Sequence, residues 1–182
     1  MVLKTITVSR KNEYYSDICK LMEEAFPEAD RMPVWLLNIL AKRDFVRFET
    51  VVDNGTFCGL VYTAENEKCV FVLYLAVSKA VRSKGYGSRI LNLIEQRAGK
   101  RQVILHAEYP DSSADNAEQR EKRIQFYAKN GIADTGYSLN DGAEKYIILS
   151  SNGAKADIEE YKSLLKRLSF GFYTPTIKQT EL

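Results

Sequence analysis

The stretch Leu75-Ala76-Val77-Ser78-Lys79-Ala80-Val81-Arg82-Ser83-Lys84-Gly85-Tyr86-Gly87-Ser88 decides the fold. It closes an almost wholly apolar run, Cys69 to Val77, which has the composition of a strand buried on both faces. It then opens a helix from about Tyr86 to Ala98, with Ile90, Leu91, Ile94 and Ala98 on one stripe and Gly99 at the C-cap position. Between Arg82 and Gly87 the chain reads R-x-x-G-x-G. Glycines at 85 and 87 remove side chains where backbone must approach another group closely. The helix that follows turns its free N–H groups and positive end back toward the loop. Strand, glycine loop and helix together outline an anion site suited to phosphates, with Arg82 and Lys84 adding charge at its edge. The Gly-Lys-Ser/Thr of a Walker A loop is absent, and the small third residue of a dinucleotide fingerprint is replaced by Ile90. By elimination the loop holds a pyrophosphate of another kind.

Upstream, Leu3 to Val8 reads as a short strand, and Tyr14 to Phe26 as an amphipathic helix carrying Ile18, Leu21, Met22 and Phe26 and stopping before Pro27. Pro33 to Leu40 reads as a second helix with Pro33 in its first turn. Phe45 to Val52 and Thr56 to Ala64 are strands joined by the hairpin signal Asp53-Asn54-Gly55, and Glu65 to Lys68 turns the chain into the Cys69 run. Downstream, Gln102 to Ala107 is a strand. Asp115 stands in a capping-box relation to Glu118 at the head of a helix whose inner stripe is Ala117, Ile124, Tyr127 and Ala128. Asn130-Gly131 ends it. Strands from about Ile132 to Ser138 and Lys145 to Ser150 are joined by Asn140-Asp141-Gly142, and a helix from about Ala156 to Leu168 precedes a polar tail. The order is β-α-α-β-β-β-α-β-α-β-β-α: antiparallel hairpins first, then a β-α-β-α-β section.

The 182 residues suffice for one domain with a proper core, and 45 % of them are hydrophobic. A net charge of +2 gives no reason to expect nucleic acid or a membrane as partner. Cys19, Cys58 and Cys69 form neither a disulfide framework nor a metal knuckle, and with His106 the only histidine no metal is expected. The N-terminus lacks the apolar core of a signal peptide, and no run is long enough to cross a bilayer. The expectation is a reduced, cytoplasmic protein, monomeric or homodimeric.

The loop resembles the hallmark of the GCN5-related N-acetyltransferase (GNAT) superfamily, V-x-x-x-x-[QR]-x-x-G-x-[GA]. Val77, Arg82, Gly85 and Gly87 match it at the right spacing. A second element, Ile124-Gln125-Phe126-Tyr127-Ala128-Lys129-Asn130-Gly131, looks like the family's F-Y-x-x-x-G helix end, some 40 residues on. The chain departs at Arg120 and Arg123, where many members carry Asn and Ala. The resemblance covers about residues 1–150 by element order, and it leaves 151–182 as a C-terminal helix and tail packed on the same domain. It implies an α/β fold with a single-domain acyl-CoA N-acyltransferase architecture: a mixed, mostly antiparallel sheet flanked by helices. It also implies acetyl-coenzyme A as co-substrate. The amides of Arg82, Ser83, Lys84, Gly85, Tyr86, Gly87 and Ser88 would hold its pyrophosphate, and the backbone of Leu75, Ala76 and Val77 would pair with the pantetheine arm. Tyr127 falls where the family places a tyrosine near the coenzyme sulfur.

The expected activity is direct transfer of acetyl to a primary amine, the acceptor being a small molecule rather than a protein. The alternative is a non-catalytic acyl-coenzyme A binding or sensing module of the same fold. An amine with a pKa of about 10.4 must lose a proton before it attacks, the developing oxyanion needs a donor such as a backbone N–H near Val77, and the departing thiolate needs an acid. Tyr127 is assigned as that acid, although spacing alone would make it a core tyrosine. The base is left among Glu108, His106 on the same strand face, and a water chain. A lone histidine is more often structural, and Glu108 reads as a solvated loop-edge acid. The segment from Phe26 to Trp35 is a possible acceptor wall, with Glu28 or Asp30 to attract a cation, or else a surface loop with Trp35 in the core. The mixed run from Gln119 to Arg123 reads as a solvated helix face.

Overall fold

In the computed structural model, Asn54 and Gly55 both take positive φ, 49° and 80°, and make the tight hairpin their sequence asks for. The structure describes residues 3–141, 144–173 and 175–180. Gly142 of the expected Asn140-Asp141-Gly142 turn lies outside that set, as do residues 1–2 of the N-terminal segment and 174 and 181–182 of the tail. The chain divides into two compact units, residues 1–64 with 72–94, and residues 65–71 with 95–182. The fold is α/β, with mostly antiparallel strands flanked by helices.

In the first unit the elements are β1 (Lys4–Thr7), α1 (Tyr15–Ala25), α2 (Val34–Leu40), β2 (Val46–Asp53), β3 (Thr56–Glu65) except its last residue, β4 (Cys69–Val77) from Val72 onward, and the start of α3 (Tyr86–Ala98). Its strands run in the order β1-β2-β3-β4, with β1 and β3 antiparallel to β2. Ile18, Leu21 and Met22 of α1 and Leu37 of α2 are buried, and so are Ile90, Leu91 and Ile94 of α3. The apolar stripes read from the sequence are therefore the packed ones. One sheet face carries the aromatic row Phe48, Tyr62 and Tyr74, with ring centroids 5.4 Å and 6.2 Å apart. The β2–β3 register slips between Val51 and Val52, so that Cys58 bulges out of the ladder. Its carbonyl then accepts the Ser78 N–H just beyond β4, at 2.9 Å.

The second unit contains β5 (Gln102–Glu108), α4 (Ala117–Lys129), β6 (Ala133–Asp141), β7 (Glu144–Ser150), α5 (Ile158–Leu168) and β8 (Thr176–Gln179). Its strands run β5-β7-β6-β8, each neighbouring pair antiparallel. α5 is capped by Asp157, whose side chain accepts the Glu160 N–H. It buries Tyr161, Leu164 and Leu165, with Tyr161 stacked obliquely on Phe71.

Four readings of the sequence need correction. Asp115 does not cap α4: Asn116 occupies the N-cap and makes no side-chain cap bond, because its amide serves Glu108 and Arg120 instead. Ala128 is exposed rather than on the inner stripe, which Tyr127 carries as the buried member. Asn140 and Asp141 continue β6. The tail adds a strand, β8, whose single apolar residue Ile177 lies opposite Leu139. An edge strand needs little apolar sequence when its backbone has a partner, so periodicity does not announce it.

His106 packs against this core while remaining partly exposed. Its ring lies among Phe71, Tyr146 and Tyr161, with centroids at 5.1, 6.2 and 5.4 Å, and is hydrogen-bonded to the Tyr161 hydroxyl. Burial pushes its pKa down to about 4. The unfolded chain, with a histidine pKa of about 6.5, binds the proton first. The stability His106 contributes as a neutral ring is therefore present above about pH 6.5 and is lost as pH falls toward 4, by up to about 3 kcal/mol. Urea midpoints measured at pH 7 and 4.5 should differ more for the wild-type protein than for His106→Gln; an equal pH dependence in the two would refute this account.

Candidate functional site

Three candidate clusters can be built from the sequence upward. The first is the glycine loop. After β4 the chain makes one 3-10 turn, Lys79–Val81, anchored by buried Val81. Ser83 and Gly85 then take positive φ, 61° and 79°. A Cβ added at Gly85 would meet nothing within 4 Å, so glycine serves the left-handed backbone there rather than relieving crowding inside the chain. The Gly85 carbonyl accepts the Arg89 N–H at 3.1 Å, which makes it the first acceptor of α3. The amides of Tyr86, Gly87 and Ser88 therefore begin the helix with no helical carbonyl behind them. Arg82 and Lys84 bend back to brace the loop: Arg82 Nε donates to the Val77 carbonyl at 3.1 Å and Lys84 Nζ to that of Ala80 at 3.2 Å.

A clasp unforeseen in the sequence holds this helix start. Asp53, at the end of β2 and with a side chain only 2 % exposed, accepts the Tyr86 hydroxyl at 2.9 Å and Arg89 NH1 at 3.1 Å on one oxygen, Oδ2. The Tyr86 hydrogen bond, helped by Arg89, holds this carboxyl below its ordinary range against the effect of burial. Asp53 preceding Asn54-Gly55 reads as a turn residue, which hides this second use. Asp53→Ala should loosen the first turn of α3 and lower the melting temperature, and Asp53→Asn, which keeps an acceptor oxygen, should restore much of it. Calorimetric melting of both variants checks this.

The second cluster is a cavity of about 410 Å³ between α1 and residues 31–35, still in the first unit. Trp35 lines it and is 50 % exposed, which overturns its placement in the core. Glu28 and Asp30 are not among its lining residues. The loop beside it is tied to β4 by Tyr74, whose hydroxyl donates to the Asp30 carbonyl at 2.9 Å and accepts the Met32 N–H at 3.1 Å.

The third cluster lies in the second unit. Glu108 accepts Asn116 Nδ2 at 2.9 Å, lies 3.5 Å from Arg120 NH2 and is bonded to Arg123 NH1. Arg120 is fixed further by the Asn116 oxygen at 2.7 Å and the Tyr109 carbonyl at 3.0 Å. Burial alone would raise the Glu108 pKa; the Asn116 bond and the two arginine charges outweigh it and hold the carboxyl below its usual range. The run from Gln119 to Arg123 is thus not wholly solvated. Gln119, Glu121 and Lys122 are exposed, while Arg120 and Arg123 turn inward on the stripe that ends in Tyr127. The spacing 116, 120, 123, 127 carries that signal, but with polar residues it passes for surface. Tyr127 is 8 % exposed, its pKa is raised by burial, and its ring lies 5.3 Å from that of Phe126.

The model of the acetyltransferase (GNAT) family matches residues 13–132. The chain belongs to that family. Among solved structures, a protein from Bacteroides thetaiotaomicron described as a GNAT-family acetyltransferase is 20 % identical over 95 % of this chain and 100 % of its own, with a TM-score of 0.72. The aminoglycoside 6'-N-acetyltransferase of Enterococcus faecium is 16 % identical over 82 % and 96 %, with a TM-score of 0.59. A GNAT acetyltransferase of Elizabethkingia anophelis, solved with acetyl-CoA bound, is 11 % identical over 81 % and 96 %, with a TM-score of 0.56. No curated protein sequence matches the chain. At these identities the structures establish the GNAT fold. Within this GNAT chain, the matched segment spans the glycine loop, Glu108 and Tyr127.

Proposed function

We propose that this chain transfers an acetyl group from acetyl-coenzyme A to a primary amine by direct attack, without a covalent enzyme intermediate. The observation that carries the reading is the glycine loop: left-handed Ser83 and Gly85 lead into the amides of Tyr86, Gly87 and Ser88, which open a thirteen-residue helix at its positive end, an arrangement that suits an anion. These groups suit the coenzyme's pyrophosphate, and the backbone of Leu75 to Val77 suits its amide-bearing pantetheine arm. In the reaction the amine nitrogen forms its bond to the acetyl carbon, the carbon–sulfur bond breaks, the amine proton passes to a base, and the sulfur receives a proton from an acid.

Tyr127 is the proposed acid. A tyrosine hydroxyl is protonated at neutral pH and burial raises its pKa further, so its proton passes to a thiolate whose thiol has a pKa of roughly 8.5 only in concert with carbon–sulfur cleavage. Glu108 is the proposed base, with the weaker support of the two: a carboxylate held low by Asn116 and two arginines accepts protons poorly. A Glu108→Gln enzyme with an unaltered pH–rate profile would assign the proton to solvent water instead. A reducing, cytoplasmic location is part of the same proposal, and the free buried thiols of Cys58 and Cys69 agree with it.

Thermal stability with and without acetyl-coenzyme A tests the reading. At 100 times its dissociation constant a ligand adds about 2.7 kcal/mol, an easily seen shift. A shift lost in Gly85→Val, together with thiol release on adding amines, supports transfer; a shift without thiol release under any amine supports a coenzyme sensor. No shift with acetyl-coenzyme A or coenzyme A overturns the reading.

A further inference from the structure

The cavity between α1 and residues 31–35 has a lining that none of the cofactor chemistry uses, and its composition specifies an occupant. Part of the lining is apolar, including Met22, Met32 and the half-exposed ring of Trp35. Three charged residues share the lining: Arg10, Arg31 and Glu23. Arg31 is held in place, since its NH1 donates to the carbonyls of Glu23 and Phe26, both at 3.2 Å. A volume of about 410 Å³ falls in the range of small-molecule sites. The lining is also tied to the proposed pantetheine strand: Met32 donates its N–H to the hydroxyl of Tyr74, the residue before Leu75.

Resting on the acetyl-transfer reading, we propose that this cavity holds the acceptor and that the acceptor is an amino acid with an apolar side group. Its carboxylate pairs with Arg10 and Arg31, its ammonium is drawn by Glu23, and its side group lies against Trp35 and Met32. Two guanidinium groups and one carboxylate are the complement of a zwitterion joined to an apolar body, and they disfavour a polycation such as a polyamine, which would place like charges on the two arginines. A guanidinium also matches a carboxylate's two oxygens in a way that an uncharged amide cannot reproduce.

Trp35 is the sole tryptophan of the chain, so its fluorescence reports on the cavity without requiring turnover. Titration with L-phenylalanine should give a saturable change in Trp35 emission. L-phenylalaninamide and 2-phenylethylamine, which lack the carboxylate, should bind about tenfold more weakly or worse. Arg31→Gln and Arg10→Gln should each erode that preference to about threefold or less. Arg10 lies outside the loop that Arg31 braces, so its variant guards against a merely displaced loop. Equal binding of acid and amide, an unchanged preference in Arg10→Gln, or no saturable change with any of the three probes overturns the proposal. The acetyl-coenzyme A melting shift, read on the same samples, separates the two readings. A protein that responds to the coenzyme but shows no carboxylate preference retains the transfer function and loses this acceptor. One that shows the preference without a coenzyme response retains the cavity's ligand and loses the transfer.

Discussion

Tyr127→Phe should lower kcat by about 10²-fold while leaving the dissociation constant of acetyl-coenzyme A within about twofold of wild type. The substitution removes one oxygen and keeps the ring that packs beside Phe126, so the fold has no reason to change. The hydroxyl is buried, its pKa is raised, and it is on hand as a proton donor at neutral pH. If it protonates the departing thiolate, the loss falls on the chemical step alone. The decisive readout is the leaving-group dependence. With a thioester of a more acidic thiol, which needs no acid to depart, the gap between wild type and Tyr127→Phe should shrink. Full turnover in the variant, or a gap indifferent to the leaving group, would remove Tyr127 from the chemistry and return it to the role of a core tyrosine.

Gly59→Ala should be the most destabilising single methyl that can be added to the described glycines. A Cβ built there would lie 2.2 Å from the Ala76 carbonyl oxygen, 3.2 Å from its carbon and 3.3 Å from the Val77 Cα. All three are backbone atoms, so no rotamer change can relieve the clash, and β3 and β4 must part where the proposed pantetheine strand ends. A loss of about 3 kcal/mol or more follows, which is a fall in Tm of about 6–12 °C for a chain of this size. Gly85→Ala is the control: with open space around it but a φ of 79°, it should cost only about 1–2 kcal/mol. Calorimetric melting of the two variants side by side checks the ranking, and equal losses would mean that the β3–β4 approach yields freely.

The order of these two effects marks what is legible in the sequence. Gly85 and Gly87 announce themselves by their spacing after a buried strand. Gly59, inside an unbroken strand, gives no local sign, because its reason is a backbone carbonyl seventeen residues away at Ala76. The strands and helices from β2 to α3 follow from apolar period and turn residues, which depend on near neighbours only. The Asp53 clasp and the Glu108–Arg120–Arg123 group depend on pairings between elements, and charged residues at those positions look like surface until the partner is known. His106 stands among the candidate bases because a single imidazole invites chemistry; the rings of Phe71, Tyr146 and Tyr161 that surround it come from three other elements.

The two hydrogen bonds of the Tyr74 hydroxyl bear on how such a protein could be re-engineered. Residues 30 and 32 are fastened to β4 by the Tyr74 side chain, which also packs edge-on against Phe26 at 4.9 Å. Segment 26–35 and position 74 are therefore one heritable module: a loop grafted in from a relative without its matching strand residue would arrive unfastened. A graft that carries residue 74 along with the loop should keep both of these hydrogen bonds.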